Sequence, residues 1–284
     1  MKIFAFIHHK GGTGKTTACL QSAGFLKQAQ KKVLVIDIDP QANATLGLGV
    51  LPHEVPVTMY HVFLSACTHH EPTPLEGAIV STRSGIDLAP SNLDLIGAEP
   101  YLYQYPDRYS ILRREIFRMK DKYDYILIDT PPFLGQFVLN AIIAADYPIF
   151  VFSPDIFAMA GYENMKVVCG DIKEILGKEV ALNIAVLNRW DVTNNVPNNS
   201  PKGFFSDLKN KFLGKTPLPD DAPPVGDTPD IFSSIRDFPH IVTVPASAIV
   251  SASYRSGMPL AFTHPNDPAA QAYSILSEVM MQCP

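Results

Sequence analysis

Lys10-Gly11-Gly12-Thr13-Gly14-Lys15-Thr16-Thr17 lies between an apolar run, Ile3 to Ile7, and a stretch from Lys15 to Gln30 in which Cys19, Leu20, Ala23, Phe25 and Leu26 cluster toward one side of a helix. The run predicts a strand and the stretch predicts a helix, so the glycines fall in a strand-to-helix turn. Such a turn aims successive backbone N–H groups and the positive end of a helix at one spot. Phosphate oxygens fit there, where a loop lined with side chains would crowd them out. In this arrangement Lys15 neutralises phosphate charge and the Thr16 hydroxyl ligates Mg²⁺. A flexible glycine-rich turn that binds nothing is the alternative, and the strand before and helix after the motif argue against it. The general form of the loop has glycine where this chain has His9, and this chain carries a second lysine, Lys10, five residues ahead of Lys15.

Two further apolar runs end in carboxylates. Val33 to Asp39 closes with Asp37-Ile38-Asp39-Pro40-Gln41, and Tyr125 to Asp129 closes with Asp129-Thr130-Pro131-Pro132. Carboxylates at the carboxyl ends of parallel strands converge on the crevice where open α/β sheets bind ligands. For Asp37 and Asp39, simple turn chemistry ahead of Pro40 stays open as an alternative.

Composition limits the architecture. With 284 residues, 46% of them hydrophobic and only 18% charged, the chain can bury one large core. Alternating strands and helices predict a single α/β domain over 1–284: a doubly wound, mostly parallel, Rossmann-like sheet with helices on both faces. Residues 194–236 interrupt this pattern with Asn-rich and Pro-rich stretches around a short helix candidate, Gly203 to Leu213, and read as an insertion. No apolar run approaches the roughly 20 residues that span a bilayer. The first strand begins at the amino terminus, so no signal peptide is expected. Cys19, Cys67, Cys169 and Cys283 lack the paired spacing of a zinc or iron–sulfur site and read as free thiols in a reducing cytoplasm. His69-His70, near Cys67 and ahead of Pro72, reads as surface loop in preference to metal ligand.

Taken with the loop, several segments resemble the deviant Walker A ATPases of the ParA and MinD group, a branch of the P-loop NTPases, and ParA (Soj-like) proteins in particular. They are Asp37-Ile38-Asp39-Pro40-Gln41-Ala42-Asn43-Ala44-Thr45 with Gly47-Leu48-Gly49, Ser91 to Glu99, Asp129-Thr130-Pro131-Pro132, and Ala158-Met159-Ala160-Gly161. The resemblance implies ATP and Mg²⁺ as ligands, with Gly11, Gly12, Thr13, Gly14, Lys15, Thr16 and Thr17 around the phosphates. It implies that Thr16, Asp37 and Asp129 surround the metal and that Asp39 orients the attacking water. It also implies an ATP-dependent homodimer in which Lys10 reaches the nucleotide of the other copy, with slow hydrolysis stimulated by a protein partner. Asn188 and Arg189, after the run Ile184 to Leu187, and Pro245, after Ile241 to Val244, are similar to the adenine-contacting segments of the family. An Asn after a strand is also an ordinary turn residue.

The implied task is to position cargo, either plasmid or chromosomal DNA or a protein assembly, in the cytoplasm or on the nucleoid. Non-specific DNA binding in this family uses arginines just after the proline that here is Pro245, and this chain has Ala246 and Ile249 there. Its net charge is −5, whereas phosphate contacts need clustered Lys or Arg. Arg255, Arg236, Lys202, Lys209 and Lys211 are the candidates for a local basic patch. A related ATPase that regulates or scaffolds a protein machine without DNA is the alternative, followed by a metabolic ATP-dependent ligase or kinase. The last helix candidate, Pro268 to Met281, has no Lys or Arg, which argues against a basic membrane anchor. Its Ala272, Ile275, Leu276 and Val279 predict packing on the core.

Overall fold

Alternate residues of the first strand, β1 (Lys2–Ile7), enter two different apolar clusters: Ile3, Ala5 and Ile7 on one side, Phe4 and Phe6 on the other. A strand buried on both faces needs helices above and below it, and the rest of the chain supplies them. The computed structural model describes residues 1–68, 72–153, 157–189 and 238–284, with backbone alone for 157–163. The first half continues with α1 (Lys15–Gln28), β2 (Val33–Asp37), α2 (Asn43–Gly47), α3 (Met59–Cys67), β3 (Val80–Ser81), β4 (Asp87–Ala89), α4 (Glu99–Gln104), α5 (Ile111–Phe117) and β5 (Tyr125–Asp129). The second half adds α6 (Gln136–Ala144), β6 (Tyr147–Phe152), α7 (Phe157–Leu176), β7 (Ile184–Asn188), β8 (His240–Val244), α8 (Ala248–Ser256), α9 (Leu260–Thr263) and α10 (Pro268–Gln282).

The eight strands form one sheet in the order β3-β4-β2-β5-β1-β6-β7-β8, parallel throughout except for the β3–β4 pair at the edge. This is the doubly wound sheet expected from the sequence. Connections run from β1 toward β2 on one side and, after β5, toward β6 on the other, so the reversal of direction lies beside β1. That reversal opens the crevice at the carboxyl ends of β1 and β5. Helices α3 to α7 cover one face and α1, α2, α9 and α10 the other.

Three details depart from the sequence reading. Helix α1 stops at Gln28, because Gln30 takes a left-handed φ of 61° and Lys31 N–H returns to Leu26 O at 3.1 Å. It is also buried continuously from Ala18 to Leu26 and not along one side, since α9 and α10 pack over the surface that faces away from the sheet. In α10, Ala272 and Leu276 are buried as expected, but Ile275 is 43% exposed. Three of the four cysteines are buried, Cys67 is half-buried, and all are free thiols. The 194–236 segment with Lys202, Lys209, Lys211 and Arg236, His69-His70, and the side chains of Ala158 to Gly161 lie outside the described residues. Among the described residues, no group of three or more His, Cys, Asp or Glu could hold a metal, and no helix is long and apolar enough to cross a membrane.

Candidate functional site

The turn after β1 leads directly into α1, and its geometry follows from its glycines. Gly12 and Gly14 take φ of 74° and 100°, values that only glycine adopts without strain. A Cβ on Gly14 would sit 1.8 Å from Asn188 Nδ2, so that position requires glycine twice over, whereas a Cβ on Gly12 would meet open space. Among the described residues, no acceptor engages the N–H groups of Gly12, Thr13, Gly14, Lys15 or Thr16. These are the orphan donors of a helix start, gathered at one point. Lys15 is 6% exposed, and its Nζ donates to Lys10 O at 3.3 Å across the mouth of the turn. Burial pushes its pKa down, partly offset by Asp129 and Asp39.

The carboxylates sit where the strand ends put them. Asp37 and Asp129 are register partners on β2 and β5, both fully buried. Asp129 Oδ2 accepts from the Thr16 hydroxyl at 2.7 Å, while its buried Oδ1 has no partner. Burial and the neighbouring Asp37 push the Asp129 pKa well up. A buried carboxylate oxygen without a donor beside a threonine hydroxyl is an oxygen-only set suited to a hard divalent cation. Asp37 is used differently. Its Oδ1 accepts from Asp39 N–H at 3.1 Å, and its Oδ2 accepts from both Thr45 N–H and the Thr45 hydroxyl at 2.8 Å. The Thr45 oxygen in turn accepts from Ser91 N–H at 2.9 Å. Asp37 is thus the hub of the turn that holds Asp39; neither Asp37 nor Asp129 is itself among the residues that line the cleft, and what separates them is that Asp129 keeps an oxygen without a partner. Its pKa is pushed up to about 7, chiefly by burial. Asp39 does line the cleft, with Oδ1 accepting from Gln41 N–H at 2.9 Å and a pKa raised by burial.

The cleft has a volume of about 620 Å³ and runs from the glycine turn to a second wall built by Asn188, Arg189, Pro245 and the start of α8. The structure therefore brings the predicted residues of both regions together, including Ala246. Asn188 is nearly buried: its Nδ2 donates to Thr13 O at 2.9 Å, and its Oδ1 accepts from Tyr273 Oη at 3.0 Å. Arg189, in a left-handed conformation with φ 57°, reaches Gly12 O through its guanidinium.

Sequence reading missed three contributors. His8 is buried, meets Phe152 edge-on at 5.5 Å, and accepts the Lys10 N–H on Nδ1 at 3.0 Å, which fixes the backbone of that lysine. Tyr254 on α8 shares a 2.7 Å hydrogen bond with Thr17 Oγ1, and Tyr273 on α10 holds Asn188. Each tyrosine bonds to a motif residue far away in sequence, so only the fold reveals it, whereas the partner of His8 is two residues on. His9 stands where the general loop has glycine, and burial with the charges of Lys15 and Lys10 lowers its pKa.

The chain is similar to known proteins over much of its length. A family model described as an AAA domain matches residues 1–182. The sporulation initiation inhibitor protein Soj of Bacillus subtilis is 30% identical over 195 residues, which cover 69% of this chain and 75% of Soj. An uncharacterized protein of Pseudomonas putida is 38% identical over 164 residues, 58% of this chain, and the match spans only 60% of that relative's length. Among solved structures, Cyanothece McdA in complex with ATP superposes with a TM-score of 0.74 over 100% of this chain and 98% of its own, at 20% identity, which speaks to the fold. With its glycine turn, its second lysine and these matches, the chain belongs to the ParA/MinD-type family of P-loop ATPases.

Proposed function

We propose that the protein is an ATP-dependent molecular switch: it binds ATP with Mg²⁺, pairs with a second copy of itself, and hydrolyses ATP slowly to separate again. The observation that carries this reading is the set of acceptor-free N–H groups from Gly12 to Thr16, with Lys15 beside them and Asp129 and Asp39 at the neighbouring strand ends. Gly11 to Thr17 would hold the phosphates, and Lys15 would leave the Lys10 carbonyl to neutralise them. Thr16 and Asp129 would hold Mg²⁺, whose charge helps neutralise the phosphoryl group during transfer. Asp37 serves the metal region only indirectly, through the turn it anchors. Asp39 would orient the attacking water, and Asn188, Arg189 and Pro245 would flank the adenine. Lys10 would act in trans, with its loop fixed by His8.

The switch would position cargo in the cytoplasm, DNA or a protein assembly, with a protein partner that stimulates hydrolysis. Soj and McdA, relatives of this fold, support the general reading. For DNA, Ala246 at the rim and the net charge of −5 favour a protein assembly as cargo, so a switch that regulates a protein machine is the second reading. A mobility-shift titration on unrelated DNA, with ATP and with ADP across salt concentrations, separates the two. A salt-sensitive shift with ATP alone supports DNA as cargo, and no shift under any condition supports the second reading. In parallel, Lys10→Ala should keep ATP and lose dimerisation and turnover. Turnover by a monomeric Lys10→Ala protein contradicts the switch itself.

A further inference from the structure

We propose that a second cleft, at the opposite end of the sheet from the glycine turn, binds a small dianion such as a phosphorylated or dicarboxylate compound through the Arg113 guanidinium, with the fixed charge of Lys178 beside it. The cleft measures about 600 Å³ and opens between the start of β1 (Lys2), α5 (Arg113, Phe117), the turn into β6 (Asp146, Tyr147) and Lys178. That volume is in the range of small-molecule sites.

Its charge balance runs against that of the whole chain. Lys2, Arg113, Lys178 and the Met1 amino group face two lining carboxylates, Asp146 and the terminal carboxylate of Pro284; Asp146 Oδ2 already accepts from Ile3 N–H at 2.9 Å, and Pro284 O accepts from Tyr147 Oη. The protein as a whole carries a net charge of −5. Lys178 is fixed in place: its Nζ donates to Ile142 O at 3.1 Å and to Ile143 O in the last turn of α6, and to Ala145 O at 2.7 Å just beyond it. A cation on the negative end of a helix would ordinarily gain a proton more firmly. Here the pKa falls to about 8, first through burial and then through the charge of Arg113, with Asp146 opposing. The fold therefore holds two cations close together next to a cavity.

Capping explains Lys178 and also Lys2, which donates to Met281 O at 3.0 Å. It does not explain Arg113. Of the three arginines around α5, Arg118 pairs with Glu115 at 2.6 Å and Arg114 lies 4.0 Å from the same carboxylate. Among the described residues, Arg113 has no carboxylate within ion-pair distance, and its side chain lines the cleft. The planar guanidinium fork of Arg113 matches the paired oxygens of a phosphate or carboxylate, while Lys178, whose three N–H groups are already donated to carbonyls, contributes its charge and no hydrogen bond. Phe117, one helical turn after Arg113 and 68% exposed, gives an apolar wall for the carbon part of such a ligand.

The test is a calorimetric titration of the full-length Lys15→Ala protein, whose glycine turn competes far less for phosphate, with inorganic phosphate and with succinate at constant ionic strength. We expect saturable binding of at least one anion, weakened about 10-fold by adding Arg113→Gln, because a charged hydrogen bond is lost. The melting temperature without anion should stay unchanged, since Arg113 is exposed and holds no partner. A preference for phosphate identifies a phosphorylated ligand, and a preference for succinate a dicarboxylate. No saturable binding of either anion, or binding that Arg113→Gln leaves intact, overturns the proposal.

Discussion

At the phosphate end of the nucleotide cleft, the N–H groups of Gly12 to Thr16 have no acceptor among the described residues. At the far end, the Asn188 amide is already bonded to Thr13 O and Tyr273 Oη. Open hydrogen-bonding capacity marks the place where a ligand gains energy, because each new bond replaces none within the chain. Capacity that is already used marks a strut. In these terms Asn188 ties the glycine turn to α10, and adenine would be held mainly by the shape of the wall around Pro245. A similar contrast separates the two strand-end carboxylates: Asp129 keeps a free oxygen, and Asp37 has none to spare.

The largest effect should come from the open end. Lys15→Ala is expected to weaken ATP binding about 100-fold or more, since it removes the main cation facing the phosphates. Equilibrium binding with a fluorescent ATP analogue measures this, and near-normal affinity would break the contrast at once. Next comes Gly14→Ala, where the two ends meet. Strain at φ 100° and the clash with Asn188 together should cost about 3 kcal/mol in urea unfolding, alongside a loss of ATP binding. Asn188→Ala sharpens the distinction further. As a strut, its loss should weaken ATP and GTP alike, by about 5-fold, from one missing hydrogen bond. A selective loss of ATP over GTP would show that the amide reads the base.

The smallest effect concerns the buried acids. The Asp37 carboxyl is raised from 3.8 to about 7 in the fold, so the folded protein keeps a proton that the unfolded chain releases. The resulting stability is fully present below about pH 4 and is lost as pH rises through about 7. Ligand-free protein should therefore unfold at lower urea concentration at pH 7.5 than at pH 5.5, and Mg²⁺ with ATP should narrow the gap by favouring ionised Asp129.

Much of this site was legible because it is contiguous. The glycine turn lies between a strand and a helix within the first 30 residues, and Asp39 and Asp129 end apolar runs that any reading of periodicity finds. The sheet was legible for the same reason: strands buried on both faces are continuous apolar runs. The edge pair β3 and β4 is two and three residues long, too short for alternation to register. The part of Asp37 was hidden because its partner, Thr45, lies eight residues on, across a turn. His8, Tyr254 and Tyr273 were hidden for a different reason. A histidine before a glycine turn, or a tyrosine on a late helix, has no local signature, and only the packing of α8 and α10 against α1 and β7 brings the tyrosines to Thr17 and Asn188.

The central claim is that the open phosphate end serves a switch in which two copies share the nucleotide, and sedimentation of Asp39→Ala with Mg²⁺ tests it most directly. With the carboxylate proposed to orient the attacking water gone, ATP should bind and persist, so this variant should sediment as a dimer with ATP and as a monomer with ADP. Adding Lys10→Ala should return it to a monomer with ATP still bound. An Asp39→Ala protein that binds ATP yet remains monomeric would contradict the account.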